Sequence, residues 1–134
     1  MLIREYTPSD LEGLRLMHAS QGFDYAFPDL ADPIFVSKLV VEGDDGRIAM
    51  ASLARLTCEA YLLVDRSARV RPAVRWSQLL ALHAAGERDL LARGLDDAHA
   101  WLPPAIAKRF GRRLHALGWQ RDDSWTPYCK ILKP

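Results

Sequence analysis

The chain has 134 residues, of which 49% are hydrophobic and 26% are charged, and its formal net charge is +1. This composition is typical of one folded domain of ordinary size and excludes a disordered chain. The near-neutral charge excludes a molecule that binds polyanions with its whole surface, so any such role needs a local basic patch. No targeting peptide and no membrane-spanning segment is recognisable, and a cytoplasmic protein that is not membrane-bound is therefore expected.

The two cysteines also favour a reducing compartment. Cys58 and Cys129 lie far apart and show no Cys/His ligand spacing. A zinc site is therefore not expected, and nothing in the sequence supports a disulfide.

Strands and helices are predicted to alternate along the chain. Thr7 has the residue type of a helix N-cap, Pro8 suits the first helical position, and Gly22 suits the end of that helix. In chain order, the patterns predict a strand at 2–6, a helix to Gly22, strands at 36–42, 47–56 and 59–65, a helix at 74–93, a strand at 98–102, a helix after Pro103-Pro104 that ends at Gly118, and closing strands at 120–122 and 127–132. This order predicts an α/β fold in one domain over residues 1–134, with helices flanking the sheet.

The segment from Glu59 to Leu91 carries the clearest functional signal. An apolar strand ends at Asp65, a basic loop runs from Arg66 to Arg75, and a long amphipathic helix follows. Free backbone N–H groups and the helix dipole favour an anion at such a helix start. Sites of this kind usually contain glycine for close approach of the backbone, and this loop contains none.

Three segments make the chain resemble the GNAT family of acetyl-CoA-dependent N-acetyltransferases over nearly its whole length. Ile3 to Leu11 is similar to the opening strand and helix of that family. Phe110 to Trp119 is similar to its last helix, with Leu-Gly-Trp where Leu-Gly-Phe is usual, and Pro127 to Leu132 is similar to its final strand. The resemblance implies a single GNAT-like domain whose mixed sheet is mostly antiparallel, and it allows a homodimer through edge strands.

The resemblance also implies an acetyl-CoA site along the strand at 59–65 and the loop after it. The backbone of Leu63, Val64 and Asp65 would bind the pantetheine arm. The family's glycine-containing phosphate loop corresponds to Arg71 to Trp76, where Arg71 matches and Pro72, Val74 and Trp76 stand at glycine positions. Phosphate binding would then fall to the guanidinium groups of Arg69, Arg71 and Arg75. The alternative is a solvated basic turn before a helix.

Catalytic residues follow from the same resemblance. Glu59 stands where some family members place a general base, although it is equally consistent with a solvent-facing charge at a strand end. The family's tyrosine acid corresponds to Leu114, and His115 points about 100° away from that position around the helix. Tyr128 in the predicted closing strand is the remaining candidate for the acid, and a structural tyrosine is the alternative.

Aromatic residues follow the first helix, at the position of the family's acceptor-binding region. Phe23, Tyr25 and Phe27 are candidates for an apolar wall that holds an amine substrate, or they pack the loop onto the core. The basic residues Lys108, Arg109, Arg112 and Arg113 lie on the polar face of the last helix. The aromatic residue among them, Phe110, belongs to the apolar face of the helix, so a solvated face is favoured over nucleic-acid binding.

Two functions from different classes are consistent with these residues. The first is an N-acetyltransferase that moves an acetyl group from acetyl-CoA to a small-molecule or peptide amine by direct attack. The second is a catalytically inactive GNAT-like module that binds a ligand or a partner, and the missing loop glycines and the missing tyrosine favour it.

Overall fold

The fold was analysed in a computed structural model that describes residues 1–67 and 69–133. The chain forms two compact units, of which the first contains residues 1–59 and 90–99 and the second contains residues 60–89 and 100–134. The α/β class expected from the sequence is confirmed, since a three-stranded antiparallel sheet is combined with three α-helices. The GNAT-specific arrangement and the single domain over residues 1–134 stay predictions.

The first unit is built on a small antiparallel sheet. Its strands are β1 (Leu2–Glu5), β2 (Phe35–Glu42) and β3 (Ile48–Arg55), in the order β1-β2-β3. Leu2 pairs with Glu42 and Lys38 pairs with Leu53. The hairpin turn predicted at 43–46 is present, and Gly46 adopts the positive φ of 74° that the turn requires.

The first helix begins and ends where its capping residues predict. A single 3₁₀ turn spans Pro8–Asp10, and α1 spans Leu11–Gln21. The Asp10 carboxylate accepts a hydrogen bond from the Thr7 backbone N–H at 2.8 Å. Gly22 ends α1 with a φ of 70°, a conformation that glycine adopts without strain.

The core of the first unit lies between α1 and the sheet. Three residues are buried in one cluster, namely Leu14 on α1, Leu30 in the loop between α1 and β2, and Val40 on β2. Partly buried hydrophobic residues surround it, namely Tyr6, Leu11, Phe27, Phe35, Ile48, Ala51 and Leu53. The loop is also fixed by Lys38, whose ammonium donates to the Leu30 carbonyl at 2.8 Å and lies 5.5 Å from the Tyr6 ring centroid.

Two further strands of the first unit form a separate parallel pair. Strand β4 covers only Cys58–Glu59 and pairs with β5 (Ala98–His99), with Cys58 opposite Ala98 and Glu59 opposite His99. The predicted strands at 59–65 and 98–102 were therefore too long. Residues 60–65 and 100–102 belong to no strand among the described residues and have no ladder partner there.

The second unit contains most of α2 (Pro72–Ala92) and all of α3 (Pro104–Ala116). After α3, the backbone N–H of Trp119 donates to the Leu114 carbonyl at 2.9 Å, and Gly118 has a φ of 90°. The indole N–H of Trp119 donates to His83 Nε2 on α2 at 2.9 Å. The residue after Gly118 therefore ties the end of α3 to the middle of α2.

The closing strands predicted at 120–122 and 127–132 are wrong, because the described residues there form neither helix nor strand. At residues 120–122, local side-chain hydrogen bonds compete with the backbone hydrogen bonds of a strand. The Asp122 carboxylate accepts hydrogen bonds from the backbone N–H and the hydroxyl of Ser124, and Arg121 pairs with Asp123 at 2.8 Å. At residues 127–132, Pro127 provides no N–H for a ladder.

Candidate functional site

A groove of about 670 Å³ lies within the second unit. One wall is an extended segment that follows β4 in the chain, and the opposite walls come from α2 and α3. The residues that line it are Leu62, Leu63, Val64, Asp65, Val70, Pro72, Arg75, Trp76, Gln78, Leu79, Leu82, Phe110 and Arg113. The groove is therefore mainly apolar and carries two guanidinium groups.

The α2 helix begins earlier than its periodicity predicts. Pro72 is its first residue, and the backbone N–H of Arg75 already donates to the Arg71 carbonyl at 3.0 Å. Proline suits a first helical position because its missing N–H would have no partner inside the helix. Residues 72–76, assigned by resemblance to a phosphate loop, therefore form the first turn of α2, and Pro72 and Trp76 face the groove.

The loop between the extended segment and α2 is closed by Arg75. Both of its Nη atoms donate to the backbone carbonyl of Asp65, at 3.4 and 3.3 Å. The Asp65 carboxylate in turn accepts from the backbone N–H and the hydroxyl of Ser67, at 2.9 and 2.7 Å. These contacts hold the Arg75 guanidinium beside the groove. Ala68, in the same loop, lies outside the described residues.

The residues predicted to bind the cofactor divide into two groups. Leu63, Val64, Asp65 and Arg75 line the groove. Arg69, Arg71 and Val74 are not among the residues that line it, and the Val74 side chain is 48% exposed in the first turn of α2. The geometry thus gathers the extended segment and one of the three predicted arginines in one place.

Arg113 on α3 was not predicted as a groove residue. The sequence places it on the polar face of the last helix, and the structure shows that the helix also turns Phe110 and Arg113 toward the groove. The sequence feature that could have indicated this position is the spacing of three residues between Phe110 and Arg113, which places the two side chains next to each other on one helix face.

The two predicted catalytic residues are exposed. Glu59 is the last residue of β4 in the first unit, opposite His99 in the register. Tyr128 is 94% exposed, in a stretch of the second unit that is neither helix nor strand. Their roles as base and acid stay predictions.

The residues predicted to bind the acceptor form an aromatic cluster in the first unit. Phe23 and Tyr25 stack with their ring centroids 5.3 Å apart, and the His18 ring meets Tyr25 and Phe27 edge-on at 4.9 and 5.6 Å. His18 Nε2 is buried and has no hydrogen-bond partner among the described residues. The guanidinium of Arg15 lies 6.0 Å from the Phe27 ring. The contacts are consistent with both interpretations of the cluster, a substrate wall and a packed loop.

A polar cluster fixes the start of β5 in the first unit. Arg55 at the end of β3 donates to Asp96 at 2.8 Å and also pairs with Asp97. The hydrogen bond to Asp96 raises the pKa of Arg55 above its ordinary value. Cys58 Sγ donates to the Asp97 backbone carbonyl at 3.4 Å, and His99 Nε2 lies 3.4 Å from Asp97 Oδ2. We assign this cluster to positioning β5 beside β4.

Neither a metal-binding cluster nor a membrane-spanning helix is found in the part of the chain that the structure describes. Residues 1–67 and 69–133 contain no group of three or more His, Cys, Asp or Glu side chains that could hold a metal ion. No helix within these residues is long and apolar enough to cross a membrane.

Comparison with known proteins found no match among protein-family models, curated proteins or solved structures.

Proposed function

We propose that the protein is a GNAT-type N-acetyltransferase that moves an acetyl group from acetyl-CoA to an amine. One observation supports it most: the extended segment Leu62–Asp65 and the first turns of α2 form one groove. The resemblance assigns Leu63, Val64, Asp65 and Arg75 to acetyl-CoA, and all four line this groove. An apolar groove with a few polar groups is the usual form of a small-molecule site.

The parallel pair of β4 and β5 supports the same proposal. The strands are joined through α2, and parallel neighbours need such a crossover. Their ladder ends at Glu59 and His99, after two residues on each strand. In open α/β sheets, ligands bind beyond the carboxyl ends of strands. The groove residues 62–65 follow that end of β4 in the chain.

The groove fits some parts of acetyl-CoA better than others. Residues 62–64 are in neither helix nor strand, so their backbone can pair with the amide groups of the pantetheine arm, while the Asp65 carbonyl accepts from Arg75. Arg75 and Arg113 provide charge for phosphate. At the start of α2, Pro72 offers no N–H to a phosphate and Trp76 adds bulk. Phosphate binding in this proposal therefore relies on guanidinium groups.

In the reaction, the nitrogen of the substrate amine attacks the thioester carbonyl. The C–N bond forms, the C–S bond breaks and the electron pair leaves with sulfur. The resemblance assigns removal of the amine proton, directly or through water, to Glu59, and Tyr128 is the candidate that protonates the thiolate. The acceptor is an amine of a small molecule or peptide, with Phe23, Tyr25 and Phe27 as its candidate contacts.

Thermal unfolding in the presence of acyl-CoA tests the proposal. A ligand that binds only the folded chain stabilises it by mass action, and about 1 mM acetyl-CoA at 100 times its Kd contributes about 2.7 kcal/mol. For a chain of this length, this corresponds to a rise in Tm of roughly 10 °C. The absence of a shift with acetyl-CoA and with longer acyl-CoA thioesters would refute the proposal.

A second candidate is a GNAT-like module that binds a ligand without catalysis. Two observations favour it: Pro72 and Trp76 occupy the start of α2, and Leu114 is half-buried where the family has its tyrosine. This candidate predicts that acetyl-CoA raises Tm while no acetyl-CoA is consumed with any amine in a panel of polyamines, amino acids and peptides. Release of free CoA with any of these amines would contradict it.

A further inference from the structure

The charges of the chain are divided unevenly between its units. The first unit contains six Lys and Arg against twelve Asp and Glu, a net charge of −6. The second unit contains twelve Lys and Arg against five Asp and Glu, a net charge of +7. The overall charge of +1 therefore conceals a strongly basic unit, and such asymmetry is typical of a surface that meets an anionic partner.

The basic charge is concentrated on α3. Its thirteen residues include no Asp or Glu. Four exposed residues, Lys108, Arg109, Arg112 and Arg113, form what we call the α3 cationic face. None of the four takes part in an ion pair among the described residues. Lys108 and Arg112, like Arg109 and Arg113, lie one turn apart, where like charges destabilise a helix. Their pairing with an external anionic group would relieve this repulsion.

The α3 cationic face continues into the groove. Arg113 belongs to the face and lines the groove, together with Phe110 from the same helix. Arg109 lies one turn before Arg113, on the same side of α3. An anionic body on the face would therefore lie next to the opening for a slender arm.

The part of the groove lined by the first turns of α2 suits a diphosphate poorly. Pro72 has no N–H, and the N–H of Arg75 is already bonded to the Arg71 carbonyl at 3.0 Å. Trp76 lines the groove where close approach of a phosphate would require a small residue. The groove retains its apolar length and two guanidinium groups, which suit a pantetheine arm with a single phosphate.

We propose that the protein accepts, beside acetyl-CoA, an acyl thioester on an acidic carrier protein, docked on the α3 cationic face with its phosphopantetheine arm in the groove. This inference rests on the proposed acyl transfer. The bonds that change are the same as with acetyl-CoA. A C–N bond forms between the amine and the acyl carbon, the C–S bond breaks, and the carrier thiolate takes up the proton released by the amine. The α3 cationic face then recognises the carrier by its negative charge, and the groove recognises its phosphopantetheine arm.

Calorimetric titration with an acyl carrier protein of fatty-acid synthesis tests the proposal. The holo form, which bears phosphopantetheine, is compared with the apo form at low and moderate salt. The double variant R109E/R112E is compared with R47E/R88E, which changes the net charge equally at exposed residues outside α3. The four residues have no assigned catalytic role, and circular dichroism checks the fold of each variant.

We expect the holo carrier to bind at least about tenfold more tightly than the apo carrier, since only the holo form fills the groove. R109E/R112E should weaken binding at least about tenfold and reduce its salt dependence, whereas R47E/R88E should stay within about twofold of wild type.

Two results would overturn the carrier proposal and leave the proposed function intact. The first is a rise in Tm with acetyl-CoA without binding of the holo carrier. The second is a higher affinity of the α3 cationic face for a duplex DNA oligonucleotide than for the holo carrier, which would assign the face to nucleic acid. The absence of binding by acetyl-CoA and by longer acyl-CoA would overturn the proposed function, whether or not the holo carrier binds.

Discussion

Arg4 and Asp10 form an ion pair that joins β1 to the turn before α1. The Arg4 guanidinium donates to both Asp10 oxygens, at 2.8 and 2.9 Å, and its Nε donates to Glu42 at 2.9 Å. The Asp10 side chain is only 7% exposed. The hydrogen bond from Arg4, together with the Thr7 N–H, holds the pKa of the Asp10 carboxyl well below its usual range. The pair therefore stabilises the folded state as long as Asp10 is ionised.

The substitution Asp10→Asn should lower the free energy of unfolding by about 2 kcal/mol at neutral pH, because it leaves the Arg4 charge without its bidentate partner. Urea unfolding measures this change. Asp44→Asn is the control, since Asp44 pairs with the N-terminal amine in an exposed position, and a change below about 0.5 kcal/mol is expected. Equal losses in the two variants would contradict the assigned role of Asp10.

The same pair gives a pH dependence with a defined sign. A carboxyl whose folded-state pKa is depressed contributes stability above its unfolded pKa, and that stability is lost as the pH falls toward the folded pKa. The unfolded reference for Asp10 is 3.8. The free energy of unfolding of the wild type should therefore fall below about pH 5, and more steeply than that of Asp10→Asn. Parallel curves for the two proteins between neutral and acidic pH would exclude this contribution.

Glu59 is the residue-level test of the proposed chemistry. It ends β4 and is exposed, so Glu59→Gln preserves size and hydrogen bonding while removing the base. We expect turnover with the most active amine to fall by about 100-fold or more, while the acetyl-CoA-induced rise in Tm stays unchanged. Wild-type turnover of Glu59→Gln would remove Glu59 from the mechanism.

At the scale of elements, local signals predicted the first unit well. Thr7, Pro8 and Gly22 are capping residues whose preferences depend only on the adjacent backbone, and the bounds they predict for the first helix agree with the structure. The hairpin at 43–46 likewise follows from its glycines. These features could be read from the sequence because each depends on residues close in the chain.

Long-range features were less accessible to sequence reasoning. The segment predicted as a strand at 59–65 has the composition of one, but a strand needs a partner, and only Glu59 of this segment pairs, with His99 about forty residues later. The position of Arg113 in the groove depends on how α3 packs within the second unit. Of the candidate site, the sequence thus predicted the extended segment and Arg75, and it missed the contribution of α3.

The glycines near the end of α2 provide an element-level prediction. Gly86 lies within α2 with open space around its Cβ position, and Gly94 follows the helix with a φ of 81°. Gly86→Ala should stabilise the protein by about 0.5–1 kcal/mol, since alanine favours the helix. Gly94→Ala should destabilise it by about 1 kcal/mol, because a Cβ is strained at positive φ. Thermal unfolding followed by circular dichroism measures both, and Tm shifts in the same direction would contradict this assignment.

At the scale of the whole molecule, the two units have different roles. The first unit carries the three-stranded sheet, the buried cluster and the parallel pair β4–β5. The second unit carries the groove, α3 and most of the positive charge. Neither α2 nor α3 contains a fully buried residue. A donor that fills the groove would add apolar burial to the second unit, so ligand binding and stability should be closely coupled there.

Calorimetric titration of acetyl-CoA into a matched pair of groove variants tests the central claim most directly. Gln78 lines the groove on α2, and Ser77 is exposed beside it without lining the groove. Tryptophan at position 78 should block the groove, whereas the same residue at position 77 should not. The account predicts that the wild type and S77W bind acetyl-CoA with a Kd below about 1 mM and that Q78W loses at least about tenfold in affinity. Equal affinity in Q78W and S77W, or no binding to the wild type, would contradict it.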